Sequence, residues 1–232
     1  MKKLLLTFAT LAAASSAASA QVEIGLKLSP SINYFRVDAP SSPFNYDFKN
    51  EGARIGLGGG LVVDYFFGEN VAFSTGLWLT GKSGEFSYTD PNPNLFGATV
   101  KKQMGIQYLE IPVSVKLFTN EVAPDIRLYF QVGGTVAAPI GARIDGEKRY
   151  KDPGTGVETT ALKHVFFFDA NALVSIGAEY QLGKSTKTFA GISYHRGLIN
   201  LDSYFGDERK SEFGKDVSIK NNVFALDLGL KF

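Results

Sequence analysis

The sequence contains no cysteine, only two histidines and one tryptophan in 232 residues. Without cysteine the chain has no disulfide framework, no thiolate metal site and no lipid-anchored N-terminal cysteine. Charge of one sign is not in excess either, because 24 lysines and arginines balance 23 aspartates and glutamates. This balance indicates no nucleic-acid partner, and the scattered acidic residues lack the regular spacing of a calcium loop. We therefore expect no nucleic acid, cofactor or metal ion to be bound.

A hydrophobic run long enough for a membrane helix is also missing. The chain starts with two lysines, continues with a short apolar run and then reaches a small-residue cleavage site that ends at Ala20. The apolar run is shorter than the ~18–20 residues that span a bilayer, and the arrangement is typical of a secretory signal peptide. We predict that residues 1–20 are removed before Gln21 and that residues 21–232 form one domain.

Segments of alternating apolar and polar residues take the place of the missing hydrophobic runs. In YLEIPVSVKLF, residues 108–118, an aliphatic row from Leu109 to Leu117 alternates with polar residues that include Glu110 and Lys116. Period-two alternation is the pattern of a β-strand with two different faces. Eight such segments occur: Val22–Arg36, Ala53–Phe66, Val71–Tyr88, Gln103–Phe118, Ile126–Arg143, Phe167–Leu182, Thr188–Leu201 and Asn222–Phe232.

The connections between these segments alternate between short and long. The long ones are rich in Gly, Pro, Asn, Asp, Ser and Lys, which is the chemistry of loops. Eight antiparallel strands with short turns at one end and long loops at the other form an up-and-down barrel. The sequence therefore predicts an all-β fold, namely an eight-stranded antiparallel transmembrane β-barrel with short periplasmic turns and long extracellular loops.

Three features favour a membrane barrel over a soluble, lipocalin-like barrel, which is the alternative. Glycine and serine are frequent on the polar face, where they suit a crowded interior and would weaken a solvated sheet face. Most segments reach the ~9–11 residues that a spanning strand needs. Aromatic residues lie near both ends of the apolar face, as in the girdles of membrane barrels. These are Tyr65, Phe73, Tyr180 and Phe232 near the short turns, and Tyr34 and Tyr194 towards the other end.

The YLEIP motif followed by VKLF resembles the fourth-strand motif of PorT-like outer-membrane β-barrel proteins of the Bacteroidetes. The segments SYHRGLINL, FDANALVSIGAEYQL and the closing VFALDLGLKF match the same family, so the resemblance covers essentially the whole mature chain. It implies an eight-stranded barrel in the outer membrane and places Phe232 as part of the signal that the barrel assembly machinery recognises. The family takes its name from a member linked to protein secretion, whereas most members have no assigned activity.

With the apolar face outside, the polar face puts charges of both signs into the lumen. An eight-stranded lumen has room for side chains only, and an unpaired buried charge is costly, so we expect a plug of ion pairs. A ring of one sign would instead indicate an ion-selective pore, and a narrow small-solute channel is the alternative. The predicted network is Arg54, Asp64, Glu110, Lys116, Arg127, Asp169, Glu179 and Asp227, and the same face also carries Glu23, Lys27, Lys82, Arg143 and Lys231.

A second alternative is an outer-membrane lipid-modifying enzyme. Ser193, His195 and Asp169 match the nucleophile, base and acid of such barrels in residue type. Serine and histidine two residues apart on one strand face are common by chance, and catalysis needs a geometry that the sequence does not give. We therefore expect a non-enzymatic protein and no catalytic residue.

The expected partners follow from the membrane location. They are outer-membrane lipid, the barrel assembly machinery and an unknown extracellular or secretion partner, with the barrel itself a monomer. Basic residues of the long loops suit contact with the phosphates of lipopolysaccharide. These are Lys101, Lys102, Lys148, Arg149, Lys151, Lys163, Arg209 and Lys210. We expect a structural role, a binding role of the loops, or an accessory role in envelope assembly or protein secretion.

Heat modifiability tests the barrel and its location together. Because a closed membrane barrel resists unfolding in detergent at room temperature, we expect the protein in the outer-membrane fraction to migrate differently before and after boiling on a gel. A periplasmic, soluble protein without such a shift would instead identify the lipocalin-like alternative.

Overall fold

The computed structural model of the protein describes residues 22–38, 47–89, 98–151, 156–203 and 217–232. Eight of its strands form a closed barrel. They are β1 (Val22–Asp38), β2 (Lys49–Phe66), β3 (Val71–Thr89), β4 (Thr99–Ala123), β5 (Ile126–Ile144), β8 (Asp169–Gln181), β9 (Lys187–Gly197) and β10 (Ser218–Lys231). Their order around the barrel is β1-β10-β9-β8-β5-β4-β3-β2, and all neighbours are antiparallel. The predicted all-β, eight-stranded, up-and-down fold is confirmed.

The strands differ in height around the barrel. β4 has 25 residues, whereas β8, β9 and β10 have 13, 11 and 14. Since about 9–11 residues span a membrane, β1–β5 continue well beyond the apolar belt. The wall formed by β2–β5 is therefore taller than the opposite wall, a difference that period-two alternation in the sequence did not show.

The connection between β5 and β8 has structure of its own. β6 (Arg149–Lys151) and β7 (Glu158–Thr160) form a small hairpin, and a 3₁₀ turn (Ala161–His164) follows it. The sequence pattern predicts only a loop for this stretch. No helix in the described ranges is long and apolar enough to cross a membrane.

The aliphatic row of β4 lies on the outside of the barrel. Leu109, Val113 and Leu117 are 37%, 50% and 46% exposed, whereas Glu110 and Lys116 between them are buried. The same alternation holds on the neighbouring strands, so a belt of exposed aliphatic side chains surrounds the barrel. The predicted orientation of this segment, apolar side outward, is confirmed.

Aromatic side chains lie at both margins of the belt. Phe224 stacks between Tyr34 and Tyr194, with ring centroids 6.4 and 4.6 Å away, on the side of the long loops. At the short-turn end the rings of Tyr65 and Phe67 meet edge to face at 5.1 Å. This arrangement has the form of the interfacial girdles of membrane barrels.

Pro112 lies on the inward face of β4, where we expect a bulge or a broken ladder because proline has no N–H to donate. Pairing of β3 with β4 is interrupted between Thr75–Val113 and Trp78–Glu110, and the register is the same on both sides of the gap. The Thr75 hydroxyl donates a hydrogen bond of 2.8 Å to the Pro112 carbonyl oxygen. Pairing with β5 on the other side continues through the proline. The ladder is therefore broken locally, as predicted, and no bulge is formed.

Inward glycines make room for aromatic rings inside the barrel. Gly177 and Gly191 are cross-strand partners on β8 and β9, and the Tyr129 ring lies directly over both. A Cβ atom at Gly177 would stand 2.5 Å from the Tyr129 hydroxyl oxygen, closer than any normal contact. A side chain at these positions therefore cannot be accommodated without moving the ring or the adjacent strand.

This close packing predicts that Gly177→Ala destabilises the barrel. Overpacking of this kind costs about 1–3 kcal/mol, because the ring and the backbone must both shift. Gly68→Ala is the matched control, since nothing lies within 4 Å of the corresponding Cβ in the turn after β2. Urea unfolding of the barrel in lipid vesicles measures both free energies, and equal stability of the two variants would contradict the packing described here.

Candidate functional site

Lys231 is the centre of an ion-pair cluster in the half of the lumen near the short turns. Its ammonium nitrogen lies 2.5 Å from a carboxylate oxygen of Asp64 and 3.5 Å from Glu23, and it also contacts Glu179. The Lys231 side chain is 1% exposed. The ammonium group of Lys116 binds Asp64 at 2.9 Å from another direction. Charges from five different strands thus meet in one buried group.

Lys187 completes this cluster at the margin. Its ammonium group contacts Glu23, and its side chain is 17% exposed. The sequence pattern places Lys187 in a short turn, but β9 begins at this residue and directs it inward. With Lys187 included, three lysines balance Glu23, Asp64 and Glu179.

A second cluster occupies the middle of the lumen. The Lys82 ammonium nitrogen lies 2.7 Å from Glu110 and 3.2 Å from Asp169. Lys27 lies 3.2 Å from Asp227, which also accepts a hydrogen bond of 2.5 Å from the Ser29 hydroxyl. All five charged side chains are buried. These pairs neutralise the middle layer apart from one carboxylate.

Trp78 and His195 fill the remaining space of the middle layer. The Lys27 ammonium nitrogen lies 3.3 Å from the centre of the Trp78 ring, and the Trp78 and His195 rings are 6.3 Å apart. A cavity of about 30 Å³ is lined by these three residues together with Glu110 and Asp227. A water needs roughly 10–15 Å³ of such space, so the cavity suits one or two waters and no larger solute.

An apolar core fills the lumen towards the long loops. Phe35, Phe86, Ile106 and Tyr108 point inward from the barrel strands and are at most 3% exposed. Residues of the connections, among them Leu201, complete this core. The full cluster is Phe35, Phe86, Tyr88, Met104, Ile106, Tyr108, Ala137, Ala142, Ile144, Tyr150, Ala161, Val165, Leu201, Val217 and Ile219. Period-two alternation does not predict this layer, because several of its members belong to connections.

Two residues of the predicted network, Arg54 and Arg127, do not belong to it. Arg54 pairs with Glu85, and the two side chains are 43% and 32% exposed. Arg127 lies at the short-turn mouth, where it donates a hydrogen bond of 3.1 Å to the Thr119 carbonyl oxygen and one of 2.8 Å to the Asn70 side chain. The remaining six predicted residues are buried and ion-paired in the lumen.

Strand irregularities lie next to Arg54 and Arg143. The register of β2 against β3 shifts between Ala53 and Gly58, next to Arg54. The register of β4 against β5 shifts at Ile140, and Arg143 beyond it is exposed. Arg127 keeps the inward phase of β5, since it pairs with Glu179, but it is the second residue of the strand and therefore lies at the mouth. An extra residue reverses the face of the following side chains, so alternation no longer predicts their direction.

Ser193, His195 and Asp169, the residues of the enzymatic alternative, lie inside the barrel. All three are buried, at 1%, 6% and 0% exposure, below the apolar core of the lumen. The Asp169 carboxylate accepts hydrogen bonds from Lys82 and Asn171, each at 3.2 Å. Within the described ranges no group of three or more potential metal ligands is present.

Above the belt, ion pairs connect the strand extensions. Glu51 accepts hydrogen bonds from the Ser87 hydroxyl at 2.5 Å and from the Lys101 ammonium group at 3.0 Å. The Ser87 hydrogen bond, followed by that of Lys101, lowers the pKa of the Glu51 carboxyl group. Lys102 on β4 pairs at 2.9 Å with Asp145, which directly follows β5. Both of these loop lysines are thus engaged within the protein.

Of the two positions predicted at the chain ends, the structure describes Phe232 but not the cleavage site. Phe232 is 61% exposed, and its backbone exchanges hydrogen bonds of 2.8 and 3.2 Å with Ile24 of β1, where the barrel closes. The predicted cleavage site between Ala20 and Gln21 lies outside the described residues.

A closed barrel with an outer apolar belt, aromatic margins and a neutralised lumen defines an outer-membrane β-barrel protein. The family described as outer membrane protein beta-barrel domain matches residues 13–203, and the chain belongs to this family. No curated protein matches the sequence.

Solved structures of other outer-membrane proteins are similar over most of their length. Neisserial surface protein A has 10% identity and a TM-score of 0.48, with 92% of this chain and 97% of that chain covered. Ail of Yersinia pestis in complex with the heparin analogue sucrose octasulfate has 11% identity and a TM-score of 0.43, with 91% and 99% covered. OprG from Pseudomonas aeruginosa has 12% identity and a TM-score of 0.41, with 90% and 95% covered. Identities this low carry no information about function.

The ion pairs of the lumen predict a strong effect of Lys231→Met. This substitution leaves three carboxylates short of their shared cation, and breaking a buried pair costs about 3–5 kcal/mol. Arg54→Gln is the control, since a partly exposed pair contributes only about 0–1 kcal/mol. Urea unfolding in lipid vesicles compares the two variants. Losses of equal size would show that the buried cluster is not a major source of stability.

Proposed function

We propose that the protein is a non-enzymatic outer-membrane barrel whose interior is a structural plug and whose extracellular loops provide a binding surface. The single observation that supports this role is the filled lumen. Ion pairs occupy the half near the short turns and the middle, and an apolar core occupies the half near the loops. A solid interior gives a rigid wall on which loops can be held in fixed positions.

The strand extensions support a role for the loop side. β2–β5 rise beyond the belt, and ion pairs such as Lys101 with Glu51 and Lys102 with Asp145 connect them there. Ordering these strand extensions costs conformational entropy, and a barrel that served only as a membrane anchor would not need them. The expected partners are therefore on the extracellular side, together with lipid around the belt.

The finer family assignment belongs to the same proposal. The motifs YLEIP and VKLF support a PorT-like protein of the Bacteroidetes, exported by its signal peptide and accessory to envelope assembly or protein secretion. Phe232, exposed at the end of the closing strand, is the residue we assign to recognition by the barrel assembly machinery. We propose a monomer, because closure of the barrel leaves no strand edge for a second copy.

Planar-bilayer recordings distinguish the plug from a narrow channel. We expect no unitary conductance steps from refolded protein, because the described middle layer leaves space for only one or two waters. If the lumen conducted ions, Glu110→Gln in the middle layer would change the size or selectivity of the steps, whereas Arg54→Gln at the rim would not. Steps with this dependence would contradict the plug and favour the channel.

A further inference from the structure

The outer wall of the barrel has a groove at the upper margin of the apolar belt. Its volume is about 620 Å³, within the roughly 300–1,000 Å³ typical of ligand pockets. It crosses β2, β3, β4 and β5, and the connection from β5 to the hairpin β6–β7 forms one of its borders. None of the lumen clusters accounts for it, because its lining consists largely of outward positions.

The floor of the groove is made of outward residues, most of which are small. Gly81 on β3 pairs with Gln107 on β4, which pairs with Gly141 on β5. In the next row Ser83 pairs with Gly105. On β3 and β4 the outward positions one row below hold Leu79 and Leu109, which are larger than these glycines. A Cβ at Gly105 would meet nothing nearer than 3.9 Å, so this glycine is not required by packing within the barrel.

The sides of the groove are aliphatic and unusually exposed. Ile55 and Leu57 on β2 are 86% and 61% exposed, and Ile140 on β5 is 52% exposed. Leu162, from the 3₁₀ turn after the hairpin, contributes a further apolar side chain. Apolar surface of this extent at a concave site is favourable only when another apolar group covers it.

Two cations stand at the upper end of the groove. Arg143 and Lys148 line it, and neither forms an ion pair with an acidic residue in the part of the chain that the structure describes. The position of Lys148 is fixed, because its carbonyl oxygen accepts a hydrogen bond of 2.9 Å from the Ala161 N–H at the base of the hairpin. The nearby acid Asp145 is already paired with Lys102. Two cations without an acidic partner in the described residues thus lie beside the apolar part of the groove.

We propose that this groove binds lipopolysaccharide, with an acyl chain between the aliphatic sides and a phosphate of lipid A at Arg143 and Lys148. The groove is apolar towards the belt and cationic above it. An acyl chain and its phosphate headgroup have the same arrangement in a membrane leaflet. Arginine and lysine are the side chains that bind phosphate most strongly. The assignment rests on the proposed function only in that the loop end of the barrel faces the cell exterior.

Binding of purified lipopolysaccharide to the detergent-solubilised, full-length barrel tests the site. We expect intact lipopolysaccharide to bind at least tenfold more tightly than a dephosphorylated form, measured by native mass spectrometry. Gly105→Leu fills the floor and should weaken binding of both forms at least tenfold. The double variant Arg143→Gln with Lys148→Gln should bind the intact form only as tightly as the dephosphorylated one.

Matched controls separate the groove from general effects of size and charge. Ala190→Leu adds nearly the same bulk at an exposed outward position of β9, and Arg196→Gln with Lys184→Gln removes two exposed cations outside the groove. Both controls should bind as the unmodified protein does. The proposal is overturned if Gly105→Leu binds normally, if the two control variants lose binding equally, or if phosphatidylglycerol competes as well as lipopolysaccharide. Conductance through the lumen would contradict the plug without affecting these binding results.

Discussion

A chain that lies in hydrocarbon has no water to satisfy its backbone, so every N–H and C=O group must find a partner within the protein. In this molecule closure of the sheet between β1 and β10 meets that requirement, and the exchange of hydrogen bonds between Ile24 and Phe232 completes it. Closure also fixes which face of each strand is inside. The aliphatic face must then meet lipid, and the polar face must be neutralised within a space only wide enough for side chains. Both the apolar belt and the lysine–carboxylate clusters follow from this constraint.

The buried cations of the described lumen are all lysines, whereas Arg54, Arg127 and Arg143 lie at the ends of the barrel. A lysine carries its charge on a flexible stem with three rotatable donors, while the guanidinium group is planar and broad. In a narrow lumen the compact group can be shared among carboxylates from several strands, as the contacts of Lys231 illustrate. The inward glycines beneath Tyr129 serve the same need for space.

Alternation in the sequence predicted the barrel, its strand count and the direction of the belt, since these depend only on which residues are apolar. It also identified six of the eight network residues. It failed where an extra residue reverses the phase, as near Arg54 and Arg143, because a register shift has no signature in hydrophobicity. It also missed Lys187 and the apolar core around Phe35 and Leu201. Tertiary contacts decide whether a strand begins one residue earlier. They also decide how the connections fold back over the mouth of the barrel, and a local sequence pattern does not contain them.

The position of Lys231 on the last barrel strand links charge balance to the completion of the fold. Its carboxylate partners come from β1, β2 and β8, and β1 is the strand against which β10 closes. In any open form of the sheet, with β10 apart from β1, this ammonium group is separated from Glu23 and Asp64. Lys116 and Lys187 alone then accompany the three acids. Pairing of β10 with β1 therefore closes the barrel and neutralises the lumen in the same step. A half-closed barrel is destabilised in two ways, by its unpaired strand edges and by its uncompensated carboxylates.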